Sequence, residues 1–154
     1  MTDNADLEIR PVRDGDREQW DHLYAGYAAF YQVPQTSEMR DKVWGWLHDP
    51  AQESEGLVAQ GPGGKLVGLA HFRPYARPLA ASTGLFLDDL FVSPDARGSG
   101  AADALIEGVR KIAEARGCSL VRWITAEDNY RGRGLYDRVA SRTAWVTYDI
   151  KLPS

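Results

Sequence analysis

The sequence predicts an α/β (α+β) domain in which a mixed sheet is covered by helices, and three observations predict it. Strand-like and helix-like periodicities alternate along the chain. Gly61-Pro62-Gly63-Gly64 separates two apolar runs as a hairpin turn would, which demands antiparallel pairing. One amphipathic stretch then connects the apolar runs near residues 85 and 125, and such a crossover demands parallel strands. Sheet and helices of this kind pack in layers around one core.

Each element follows from its own pattern. Residues 7–12 alternate apolar and charged, as in a half-buried strand. Residues 14–31 read as a helix whose stripe is Trp20, Leu23, Tyr24, Tyr27 and Tyr31, with Asp14 or Asp16 as its cap. Residues 37–48 form a second helix, capped by Ser37 and apolar at Val43, Trp44 and Leu47. Strands at 55–60 and 65–72 flank the glycine-rich turn, and Pro74 and Pro78 make 73–81 a loop or irregular edge. Residues 83–92 are almost continuously apolar apart from Asp88 and Asp89. The helix at 101–116 buries Ala102, Leu105, Ile106, Val109, Ile112 and Ala113 and stops at Gly117. A strand at 120–125, a helix at 129–139 and an alternating strand at 144–152 complete the chain.

The 154 residues (17.1 kDa) fit one domain, spanning 1–154, with enough chain to bury a core. Cys118 is the only cysteine, which excludes an internal disulfide and a cysteine-rich metal site. His22, His48 and His71 have no ligand spacing, so no metal is expected. The start, Met1-Thr2-Asp3-Asn4-Ala5-Asp6, is polar rather than a secretory leader, and no apolar run reaches membrane-span length. A cytoplasmic protein with no membrane partner is expected. A net charge of −4 with scattered Arg and Lys argues against a nucleic-acid partner and suits a cationic small molecule.

Chemistry concentrates where the strand at 83–92 ends. Ser93-Pro94 stops it, and Arg97-Gly98-Ser99-Gly100-Ala101-Ala102-Asp103 leads into a helix. A turn of this kind leaves backbone N–H groups unpaired at the positive end of a helix, a seat for phosphate. A nucleotide P-loop would need Lys-Ser or Lys-Thr after Gly100, and a dinucleotide loop would need glycine where Asp103 stands. Neither fits. Arg97-x-x-Gly100-x-Ala102, after Val92-x-Pro94, resembles the acetyl-CoA pyrophosphate loop of the GNAT superfamily of N-acetyltransferases.

A second block extends the resemblance. Asn129, followed by Leu135-Tyr136-Asp137-Arg138, is similar to the family's Asn-x-x-Ala-x-x-Leu-Tyr-x-Lys segment, with Gly132 replacing the usual alanine. Together the two blocks imply a mixed, mostly antiparallel twisted sheet of six or seven strands flanked by about four helices. They imply acetyl-CoA as co-substrate, gripped by Arg97, Gly98, Ser99, Gly100, Ala101, Ala102 and Asp103, by main-chain groups of Leu90, Phe91 and Val92, and by Asn129. Tyr136 would protonate the departing thiolate, a role worth about 10²–10⁴ in rate. Asp88 matches the acid that binds or deprotonates the amine in diamine acetyltransferases, with Asp89 and Glu127 in reserve. Adjacent strand residues face opposite ways, so Asp88 and Asp89 are not both expected in the site. Tyr27, Tyr31 and Tyr75 are available to line an amine pocket or to pack, while Trp44 and Trp46 read as packing residues.

Arg73-Pro74, the run from Leu87 to Val92, Tyr136-Asp137-Arg138-Val139 and Trp145-Val146-Thr147-Tyr148 resemble the yeast histone/polyamine acetyltransferase branch, which implies a homodimer. The expected activity is acetyl transfer to a primary amine of a small molecule. A non-catalytic acyl-CoA sensor and a protein lysine or N-terminal acetyltransferase remain alternatives, and the acceptor segments 31–38 and 73–82 do not identify the amine.

Overall fold

The computed structural model describes residues 6–153, so the polar start at 1–5 and residue 154 lie outside it. The described residues group into two compact units, 6–123 and 124–153. In the first, β1 (Glu8–Pro11), α1 (Arg17–Phe30), α2 (Ser37–His48), β2 (Glu55–Gln60), β3 (Leu66–Arg77), β4 (Ser82–Val92), α3 (Ala101–Ala115) and β5 (Val121–Arg122) follow in order. The strands form one sheet in the order β1-β2-β3-β4-β5, antiparallel except for the parallel β4–β5 pair. The second unit contains α4 (Tyr130–Val139).

The core on one face of the sheet joins Trp20, Leu23 and Tyr24 of α1 to Val58, Leu66, Leu69 and Phe91. On the other face, α3 buries Leu105, Val109 and Ala113. It ends as its sequence requires: Gly117 takes φ +71°, its N–H bonds the Glu114 carbonyl, and the Cys118 N–H bonds that of Ala113. The 61–64 turn is likewise as expected, with Gly63 and Gly64 at φ +75° and +81°.

Four expectations change. Asp16 does not cap α1, because its carboxylate takes the Arg10 guanidinium at 2.7 and 2.9 Å and the Arg13 N–H at 2.9 Å. Thr36, not Ser37, caps α2, its Oγ1 accepting from the Met39 N–H at 3.2 Å. Most of residues 73–81 is strand: β3 runs through Pro74 to Arg77, pairing with β4 throughout. Pro74 is tolerated because β2 stops pairing at Phe72, so its missing donor costs no ladder bond there. Lastly, the described residues form five strands rather than six or seven. Residues 144–152 carry no regular structure, and Trp145, Val146, Tyr148, Ile150 and Leu152 are 72 to 89% exposed. Alternation says which side of a strand would be buried, but a strand exists only when a neighbour supplies its hydrogen bonds.

Candidate active site

The free edge of β4 is where the site begins. β5 pairs with β4 only at Leu85 and Phe86, so among the described residues Leu90–Val92 has β3 on one side and no strand on the other. Ser93 donates to the Val67 carbonyl at 2.8 Å, and the Phe91 carbonyl oxygen also lies toward β3, against Gly68. Main-chain groups alternate in direction along a strand, so those of Leu90 and Val92 point outward. The Phe91 side chain belongs to the α1-side core. An extended, amide-bearing molecule can therefore pair with this edge as an added strand would.

Beyond β4, Pro94–Ala96 forms one 3-10 turn and the chain enters α3 through Gly98 and Gly100 at φ +83° and +84°. Both are in the left-handed region, which explains glycine at each position. A Cβ on Gly98 would meet nothing within 4 Å, so the loop is open. The Ala101 N–H is held by Ser99 Oγ at 3.3 Å. The N–H groups of Ala102 and Asp103 belong to the first helical turn, where the helix offers no acceptor. Asp103 also lines an open groove with Ile9, Glu107 and Lys111 between α3 and β1. Arg97 is exposed, its guanidinium carbon 5.0 Å from the Phe30 ring centroid.

A bulge in β4 sets the acids. His71 pairs with Asp89 and Phe72 with Leu87, so Asp88 is the extra residue. Asp88 bonds Arg73 Nε at 3.1 and 3.3 Å, whereas Asp89 Oδ2 lies 2.9 Å from His71 Nδ1. His71 and Arg73 are two apart on β3 and share a face. Both acids thus engage the same face, contrary to the strict alternation expected from sequence.

Their surroundings differ. Asp89 is embedded: Tyr24 Oη donates to Oδ2 at 2.9 Å and Tyr27 also hydrogen-bonds the carboxylate. Burial would raise its pKa, but the bonds from His71, Tyr24 and Tyr27 outweigh burial and hold it below the usual aspartate value. Trp20 Nε1 lies 2.9 Å from His71 Nε2. An indole N–H only donates, so Nε2 accepts and the imidazole proton sits on Nδ1, facing Asp89. Asp88 is instead half-exposed, and burial raises its pKa against the opposing pull of Arg73.

Sequence reading missed Trp20, Tyr24, His71 and Arg73 as parts of this site. The available signal was a lone histidine within the apolar run Leu69-Ala70-His71-Phe72. Tyr27 stacks between Tyr24 and Tyr31, at 6.0 and 5.0 Å between centroids, and Tyr75 packs edge-on against Phe86 at 5.9 Å. His22 is exposed, and His48 bonds the Trp44 carbonyl. No metal-binding group of three or more His, Cys, Asp or Glu occurs among the described residues.

In the second unit, Asn129 caps α4. Its Oδ1 accepts from the Gly132 N–H at 3.3 Å and its amide donates to Thr125 Oγ1 at 2.8 Å. A Cβ on Gly132 would lie 2.5 Å from Asn129 Nδ2, so alanine there would make the capping side chain shift. Tyr136 lies on the same helix, and Arg133 Nη1 donates to the Glu127 carbonyl.

The model of the acetyltransferase (GNAT) family matches residues 20–140. The D-amino-acid N-acetyltransferase HPA3 of Saccharomyces cerevisiae is 27% identical over 146 residues, covering 94% of this chain and 91% of the relative. A ribosomal-protein-alanine N-acetyltransferase from Brucella melitensis biovar Abortus 2308 has a TM-score of 0.80 at 28% identity, over 95% of this chain and 99% of that one. The aminoglycoside acetyltransferase AAC(6')-Iy, solved with a bisubstrate analog, shares the fold at TM-score 0.78 and 20% identity, over 96% and 99%. The family match takes in the Trp20–His71–Asp89 cluster, the glycine loop ahead of α3 and the Asn129–Tyr136 helix. This chain therefore belongs to the GNAT family of acetyltransferases.

Proposed function

We propose that the chain transfers the acetyl group of acetyl-CoA to a primary amine of a small molecule by direct attack in a ternary complex. One observation carries this reading: an open β4 edge runs into a glycine loop with helix-end amides, and two carboxylates face one side of the same strand. The edge offers the outward main-chain groups of Leu90 and Val92 to the pantetheine arm. The loop from Arg97 to Asp103 offers main-chain donors to the pyrophosphate, where the α3 dipole adds about 0.3–1 kcal/mol. A main-chain N–H at the acetyl carbonyl would stabilise the developing oxyanion.

The acceptor arrives as an ammonium, with a free pKa near 10.4 if it resembles lysine. It loses one proton to a carboxylate, for which Asp88 is the accessible choice. The nitrogen lone pair then forms the N–C bond and the C–S bond breaks. The resemblance assigns the thiolate's proton to the Tyr136 hydroxyl, which is restored by the second proton leaving the amide nitrogen. The products are acetylamide, CoA thiol and one released proton. Cys118 lies past the far end of α3 from the loop, roughly 22 Å of helix away, which supports direct transfer over an acetyl-cysteine route.

The test is release of CoA thiol from acetyl-CoA with a panel of amino acids, polyamines and aminoglycosides, with acetylated products identified by mass. The yeast relative's name puts free amino acids first in that panel. Thiol release with an acetylated product supports the reading. Acetyl-CoA binding without turnover for every amine overturns it in favour of a sensor. A cytoplasmic homodimer belongs to the same reading. The exposed apolar residues 145–152 support self-association, and a monomer's mass in sedimentation equilibrium at micromolar concentration would remove the dimer.

A further inference from the structure

We infer that the acceptor is a free α-amino acid, with Asp88 taking its ammonium and the unused edge of the Arg73 guanidinium taking its carboxylate. This rests on the acetyltransferase reading above and names the substrate class of that site.

Three features lead to it. First, the β4 bulge presents two acids, but Asp89 is committed to His71, Tyr24 and Tyr27, leaving Asp88 as the one able to change partners. Second, Arg73 bonds both Asp88 oxygens through Nε alone, at 3.1 and 3.3 Å, and its guanidinium makes no other hydrogen bond among the described residues. The side chain of Arg73 is 34% exposed and that of Asp88 36%, so both are reachable from solvent. Third, the guanidinium carbon lies 4.9 Å from the Phe86 ring centroid, which restrains the plane of the fork.

The terminal nitrogens of a guanidinium form a planar two-pronged donor that matches a carboxylate. An α-amino acid carries its ammonium and carboxylate on one carbon, so its two charges are as close as the adjacent Asp88 and Arg73 groups. A zwitterion binds this pair without a net change of charge. A polyamine would set a second cation against Arg73, and a monoamine without a carboxylate would leave the fork unused. Raised by burial, Asp88 is also better matched to accept a proton than an ordinary surface aspartate. The proton passes from the substrate ammonium to an Asp88 oxygen, and the freed nitrogen attacks as described above.

The experiment pairs each acceptor with its decarboxylated twin: D- and L-phenylalanine against 2-phenylethylamine, and D- and L-alanine against ethylamine, by CoA thiol release. At least one amino acid is expected to exceed its twin about 10- to 100-fold in kcat/KM, the range for a hydrogen-bonded charge pair. In Arg73→Met that ratio falls toward 1, mainly through KM, and Arg73→Lys restores part of it. Residual turnover of the decarboxylated amine by the same variant shows that it is folded. Equal use of both twins by the wild type, or equal loss on both in Arg73→Met, overturns the inference. Turnover of spermidine or kanamycin with no amino acid accepted overturns the inference and leaves the acetyltransferase reading standing. No thiol release with any amine overturns both.

Discussion

The indole N–H of Trp20 donates to Nε2 of His71 over 2.9 Å, and that bond selects which imidazole nitrogen carries the proton. Nδ1–H then faces Asp89, and a largely enclosed carboxylate beside the β4 bulge is held by a ring whose orientation is set from α1. Replacing Trp20 by Phe removes the donor and leaves a buried acceptor unpaired. Stability should fall by about 1–3 kcal/mol, the cost of an orphaned buried polar group. Nitrogen-15 shifts of His71 should report a single Nδ1–H form in the wild type and a mixture in the variant. An unchanged spectrum would show that Trp20 does not set the tautomer.

Asp88 and Asp89 should separate cleanly. Asp89→Asn disturbs a buried set of hydrogen bonds and should lower stability by about 3 kcal/mol. Asp88→Asn should leave stability within about 1 kcal/mol, because its partner is a half-exposed Arg73. Amine turnover should nevertheless drop by about 100-fold in Asp88→Asn as proton acceptance is lost. Denaturant melts and thiol-release kinetics on the two variants decide this together.

The buried Arg10–Asp16 pair should dominate acid sensitivity in the first unit. The Arg10 hydrogen bond holds the Asp16 carboxyl below its ordinary value, overriding the effect of burial. A depressed folded-state pKa contributes stability above the unfolded value, near 3.9, that is lost as pH falls through the folded value. Asp16→Asn should cost about 3–5 kcal/mol at pH 7, since it strands a buried guanidinium. The gap from wild type should narrow below pH 4. A gap independent of pH would assign the loss to packing instead.

Gly100→Glu tests the phosphate seat. At φ +84° any side chain is strained by roughly 1–2 kcal/mol, and this one adds a carboxylate where phosphate would lie. Gly117→Glu, at φ +71° past the opposite end of α3, carries the same strain roughly 22 Å of helix from the loop. Calorimetry with CoA should show binding lost in the first variant and kept in the second, at similar melting temperatures. Equal affinity in both would remove the loop from the site.

Tyr136→Phe removes one hydroxyl from α4. The assigned proton donation predicts a fall in kcat of about 10²–10⁴ with acetyl-CoA affinity within about threefold of wild type. Unchanged kcat would release Tyr136 from the chemistry.

What the chain's order of residues settles alone is local. Periodicity marks the strands and helices, Gly117 ends α3, and the Gly98–Gly100 pair marks an open turn, because each depends on backbone geometry within a few residues. Loop and helix motifs carried the family likewise. Partnership needed three dimensions. That Asp16 serves Arg10 rather than a helix end, that residues 144–152 lack a strand partner, and that one inserted residue turns Asp88 and Asp89 to the same face all depend on segments distant in sequence. His71 shows the reason most plainly. Its proton and its usefulness are set by Trp20, 51 residues away, and by Asp89 on the neighbouring strand, groups that only the pairing of β3 with β4 and the packing of α1 bring together.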